Sequence, residues 1–147
     1  MFYKLIVVIG LTFSTLNMGW AVDPISTSWF GNLAIEGYDA VAYFTENRPV
    51  KGDKKYELEW EDAKWRFSSA ENLTAFREDP ERYAPQYGGY CAWAVSNGDT
   101  AGIDPSQFSV VDDKLYLNYN TNIQQKWLDE RDKRIEMADE LWPTLID

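Results

Sequence analysis

Apolar and charged residues alternate along two stretches in the middle of the chain. In Lys55–Trp60, Tyr56, Leu58 and Trp60 alternate with charged residues, and in Lys64–Ser68 Trp65 and Phe67 alternate with Lys64, Arg66 and Ser68. Period two puts successive side chains on opposite faces, so both stretches predict half-buried strands, with Glu61-Asp62-Ala63 as the tight turn of a β-hairpin. The pattern then changes. Ser68 and Glu71 have the spacing of a helix capping box, Leu73 and Phe76 supply an apolar face, and Pro80 closes the helix. Glu81–Tyr83 adds a turn before Pro85, and Gly88–Ser96 predicts a short helix with Gly98 as its C-cap.

Asp99–Gln107 reads as a loop. Phe108–Val111 and Leu115–Asn118 flank Asp112-Asp113-Lys114 and predict a second hairpin. Asn120 or Asn122 then caps a long helix reaching about Trp142, where Pro143 ends it. Ile123, Trp127, Ile135, Ala138 and Trp142 share one face of that helix, interrupted by Arg131. Earlier in the chain, residues 22–35 form an irregular lead-in, Asp39–Phe44 (DAVAYF) predicts a further short strand, and residues 45–54 with Pro49 and Gly52 a polar loop. The order of strands, helices, hairpin and helix predicts an α+β fold, with small antiparallel hairpins packed against a short helix pair and a long C-terminal helix.

The first residues stand apart from this pattern. Lys4 precedes the apolar run Leu5–Leu16, and Gly19-Trp20-Ala21 places small residues at the −3 and −1 positions of a cleavage site. Residues 1–21 are therefore expected to be a cleaved export signal and residues 22–147 the mature domain, periplasmic or secreted. The run is shorter than the roughly 20 residues a spanning helix needs, and no other run approaches it, so no membrane insertion of the mature chain is expected. No cysteine follows the run that could carry a lipid anchor.

The chain has 147 residues, 45% of them hydrophobic and 16% aromatic, enough for one domain with a sizeable core. Its formal charge of −10 becomes −11 once Lys4 leaves with the signal. Such a field repels phosphate backbones and anionic lipid, which argues against a nucleic-acid partner and leaves a small ligand, a metal ion or a protein as the partner.

With the hairpins and helices in place, a resemblance becomes visible. GYDAVAYF (37–44), WRFSSAENLTAFREDPERYAPQYGGYCAWAVSNG (65–98), VVDDKLYLNYN (110–120) and LWP (141–143) together resemble the exported YHS-domain proteins of bacteria, over nearly all of the mature chain. The resemblance implies a treble-clef-like module, related to TRASH domains and associated with heavy-metal proteins such as copper exporters and sensors. The family pattern runs aromatic-Phe-Cys-Ser, then Cys, Phe, Pro and Tyr. Phe67, Ser69, Phe76, Pro80 and Tyr83 match it, while its two cysteines fall on Ser68 and Asn72.

Candidate chemistry concentrates on the single cysteine. Copper(I) or zinc takes two to four thiolates, imidazoles or thioethers. The mature chain offers Cys91, Met137 and no histidine, so Cys91 is the one soft metal ligand besides a thioether. A metal cofactor is implied by the family but not supported by this inventory, unless two chains share a site. Asp99, Asp104, Asp112 and Asp113 sit in loops but match no calcium-loop spacing. A cysteine enzyme would lack its usual histidine base; a helix start at Gly88 would place Cys91 in the first turn, where the dipole lowers a thiol pKa. Against that, Tyr87, Tyr90, Trp93 and Val95 surround Cys91 with apolar bulk, and a buried structural thiol is the favoured reading.

Three functions follow. The first is a non-catalytic exported protein handling a copper-type metal or another ligand. The second is a small-molecule or peptide binding module with an apolar pocket near Tyr87–Trp93. The third is an enzyme using a helix-activated Cys91. The candidate ligand-binding residues are Cys91, Tyr90, Trp93, Gly88, Gly89 and Tyr38, the glycines because they permit close approach.

Overall fold

A computed structural model describes residues 19–147; the apolar run of the expected export signal lies outside them. After the lead-in, α1 (Ala42–Thr45) precedes the antiparallel hairpin β1 (Asp53–Trp60) and β2 (Ala63–Phe67), whose register pairs Leu58 with Trp65 and Trp60 with Ala63. Next come α2 (Ala70–Glu78), α3 (Pro80–Tyr83), a 3-10 turn at Gln86–Gly89, and α4 (Ala92–Ser96). The second hairpin, β3 (Phe108–Val111) and β4 (Lys114–Leu117), leads to α5 (Thr121–Asp129) and α6 (Arg131–Ile146). The fold class is α+β, as the pattern predicts.

Two hydrophobic cores share one strand. Trp65 and Phe67, on the inward face of β2, meet Phe76 of α2 at ring separations of 4.8 and 5.1 Å. Leu115 and Leu117 complete this first core. Tyr116, between them, points the opposite way and stacks on Trp127 of α5 at 5.2 Å, in a second core with Tyr87, Ala92, Val95 and Ala138. Strand alternation thus buries both faces of β4, so a two-stranded sheet holds the two halves together.

Several elements differ from the sequence expectation, each for a local reason. Asp39–Phe44 is not a strand. The Asp39 carboxylate accepts from the Val41 and Ala42 amides at 2.9 and 3.1 Å, an Asx turn that starts α1. The cap of α2 is Ser69, not Ser68: Ser69 Oγ accepts from Asn72 N at 3.1 Å, because the Ser68 hydroxyl is already donated to Asp39. No helix runs from Gly88; the backbone at Tyr87 and Gly88 is left-handed, and α4 begins only at Ala92 with Cys91 as its N-cap. The long C-terminal helix is two helices. Asn120 caps the first, and a non-helical Glu130 (φ −125°, ψ 25°) breaks the axis. The break turns Ala138 and Trp142 onto the second core. Pro143 lies inside α6 rather than ending it, near enough to the C-terminus to cost one backbone bond.

Candidate functional site

The seam between the two cores opens into a groove of about 440 Å³. Trp60 contributes from the first core, and Tyr87 and Trp142 from the second. Pro24 and Ile25 form one wall, and Glu81, Lys114 and Asp139 bring charge to it.

The lead-in is a strap held in place by the backbone. Ser26 N donates to Gly88 O at 2.8 Å, Val22 N to Leu145 O at 2.9 Å, and the Tyr90 hydroxyl to Asp23 O at 3.1 Å. Gly88 has φ +60°, and a Cβ there would lie 1.8 Å from Pro24 O. The close approach that Gly88 signals is therefore made by the chain's own strap and not by a ligand, while a Cβ on Gly89 would meet only the Pro85 ring, at 3.1 Å.

Tyr87 is the most constrained residue of the groove. A bulky side chain at φ +57° is strained, of order 1 kcal/mol or more, and the surroundings must hold it there. Its hydroxyl donates to Asp139 Oδ1 at 2.8 Å, and its ring lies 6.0 Å from Tyr116 and 6.1 Å from Trp142. Burial, then the bond to Asp139, pushes the hydroxyl well above its ordinary pKa, so Tyr87 stays a donor and keeps the carboxylate oriented.

The sequence-predicted site residues do not converge. Gly88 lines the groove, and Tyr90 stacks beside it on Trp142 at 5.8 Å. Gly89 lines a separate small cavity with Ser26 and Ile103. Trp93 lies under the Arg134 guanidinium, 3.8 Å from the ring centroid. Tyr38 packs on the first core and bridges to Lys51. Cys91 is 1% exposed, and its thiol donates to Asn118 Oδ1 at 3.5 Å, an oxygen that also accepts from Trp93 N. A thiol so placed, at the cap of a five-residue helix, has neither the access nor the dipole of an activated nucleophile.

A second constellation sits where the family pattern has its cysteines. Asp39 is fully buried. Its Oδ2 accepts from Ser68 N at 2.8 Å, Ser68 Oγ at 2.7 Å and Asn72 Nδ2 at 2.8 Å, while Oδ1 takes the two amides of the α1 turn. One carboxylate thus cross-links the Tyr38–Ala42 segment, the end of β2 and the first turn of α2. Both cysteine-equivalent residues are donors already spent on Asp39, and neither is a thiolate; this donor set does not fit a soft metal. Among the described residues, no group of three or more His, Cys, Asp or Glu is placed to hold a metal ion. Asp104, one of the loop aspartates, accepts from Ser106 N and Oγ, and Asp112 and Asp113 form the β3–β4 turn.

Comparison with known proteins meets this geometry at the same place. The YHS domain family model matches residues 41–87, from α1 through α2 to Tyr87, and the chain carries a YHS domain there. Comparisons with curated proteins and with solved structures gave no match. Among the described residues, no helix is long and apolar enough to cross a membrane.

Sequence reasoning missed Asp39 and the charged side of the groove. An Asp directly before a short apolar run is a cap signal, and would have pointed to Asp39. Glu81, Lys114 and Asp139 carry no such mark, for each looks like an ordinary solvated charge until the fold brings them together.

Proposed function

We propose that this is a non-catalytic, exported YHS-domain protein that binds a small organic cation with an apolar or aromatic body in the groove between its two cores. The groove carries the reading. Its volume falls in the range of about 300–1,000 Å³ usual for small-ligand sites, and its lining combines rings with a few polar groups. Trp60, Tyr87 and Trp142 offer aromatic surface, and Glu81 and Asp139 outnumber Lys114, which forms no ion pair among the described residues. Carboxylates beside aromatic rings favour an ammonium group, and the net charge of −10 draws cations toward the surface. A YHS domain is compatible with metal handling, but Ser68 and Asn72 in the family's cysteine positions do not support it here. The burial of Cys91 supports the non-catalytic reading, and the leader pattern of residues 1–21 supports a periplasmic or secreted location.

Tryptophan fluorescence and calorimetry with three probes of one shape test this: benzyltrimethylammonium, benzyl alcohol and benzoate. The cation is expected to bind best, and the Glu81→Gln/Asp139→Asn double variant to lose the preference. Equal binding of the neutral probe would refute the ligand class. Absence of binding by all three, with no effect of Trp142→Leu, would refute the site.

A further inference from the structure

The strap that walls the groove begins where the export signal is expected to end. Trp20 is 97% exposed and Ala21 is exposed, whereas Val22 is the first described residue whose backbone amide is engaged, by Leu145 O at 2.9 Å. Leu145 lies in the last turn of α6, where carbonyls have no intrahelical donor and the helix dipole is negative. We propose that hydrolysis at the expected Ala21–Val22 cleavage site has a structural consequence: it turns the Val22 nitrogen into an ammonium group that caps α6 and fastens the strap.

The step is a peptide hydrolysis by a signal peptidase. Water adds across the amide, Ala21 leaves as a carboxylate with the leader, and the Val22 amine takes up a proton at neutral pH. Before cleavage that nitrogen is a neutral donor to Leu145 O; afterwards the same contact is charge-assisted and lies at the favourable end of a 16-residue helix. The Asp23 carbonyl, held by the Tyr90 hydroxyl, keeps the strap aligned behind the new terminus. Processing therefore both frees the protein and strengthens the contact that holds one wall of its groove.

The inference rests on the export reading, and the experiment separates the two. Intact-mass analysis of the full chain expressed in a bacterial host is expected to find exported protein starting at Val22. Retention of residues 1–21 would overturn the export reading, and a start elsewhere would overturn the processing site alone. Three purified forms then isolate the charge: a chain starting at a free Val22, the same chain acetylated there, and one retaining residues 19–21. The free-amine form should melt about 2–5 °C above the other two, the shift expected for one charge at a helix terminus in a domain of this size. NMR titration should place the Val22 amine above its ordinary pKa of about 7.7–8.0. Equal melting of the three forms, or an amine at or below the ordinary value, overturns the capping.

Discussion

Replacing Asp39 by Asn tests whether a carboxylate does the cross-linking that a metal would do at the cysteine positions of a YHS domain. The substitution is nearly isosteric, so it leaves the packing and changes only what the group can accept. Asp39 takes two donors on Oδ1 and three on Oδ2. Whichever way the Asn amide turns, its NH2 faces donors instead of receiving them. With the NH2 toward Ser68 and Asn72, three hydrogen bonds are lost at about 1 kcal/mol each, partly relieved because those residues are half-buried and can recruit water. With the NH2 toward α1, two buried amides lose their acceptor, at about 1–3 kcal/mol each. The expected loss is therefore about 2–4 kcal/mol, a large part of the 5–15 kcal/mol typical of a domain. Asn72→Ala removes one donor from a carboxylate that keeps four, and should cost only about 1 kcal/mol. Urea unfolding followed by tryptophan fluorescence measures both. A loss below about 0.5 kcal/mol for Asp39→Asn would refute the argument, given the magnitude of even one lost bond. So would a drop in the wild-type midpoint on adding a chelator, since it would show that a metal shares the role.

Other outcomes follow from the same geometry. Cys91 should resist a thiol reagent in the native state and react fully in denaturant, and Cys91→Ala should cost only about 1–2 kcal/mol, mostly through lost burial; rapid native labelling would contradict the buried placement. Gly88→Ala should destabilise by more than about 1 kcal/mol and expose Val22–Ser26 to proteolysis, because its Cβ collides with Pro24 O; proteolysis at the wild-type rate would count against the strap geometry. Stability should fall as the pH rises above about 10. Burial holds Tyr43 and Tyr87 well above the ordinary tyrosine value and Tyr116 at about 12. The unfolded chain thus loses protons that the folded chain retains, and the contribution of Tyr116, intact below pH 10, is lost between about 10 and 12. A spectrophotometric titration in which Tyr43, Tyr87 and Tyr116 ionise together with the other tyrosines near pH 10 in the folded state would contradict this.

How much was legible in the sequence differs from element to element. The first hairpin could be read from alternation and the second from apolar runs on either side of a turn, because a strand's side-chain period is a local property and Glu61-Asp62 and Asp112-Asp113 are turn formers. The aromatic core followed from local periodicity too, the strand period for Trp65 and Phe67 and helical spacing for Phe76 and Trp127, and all four are buried. The missing metal ligands at Ser68 and Asn72 were equally visible once the family pattern was laid on the chain. Helix boundaries were not, since Ser68 and Ser69 are equally good caps until a carboxylate 29 residues away claims the first. The break at Glu130 likewise depends on where Ala138 and Trp142 must go to find the second core.

The amino-acid sequence by itself determined the fold class, the core-facing rings and the reduced stock of soft ligands, for these depend on local period and on counting. Only the tertiary structure decided what Ser68, Asn72 and Gly88 are for. Their partners are Asp39 and Pro24, distant in sequence, and a hydrogen bond or a close backbone approach exists only after the chain has closed on itself. The groove is of the same kind: Trp60, Tyr87, Asp139 and Trp142 become neighbours because two cores pack against one strand.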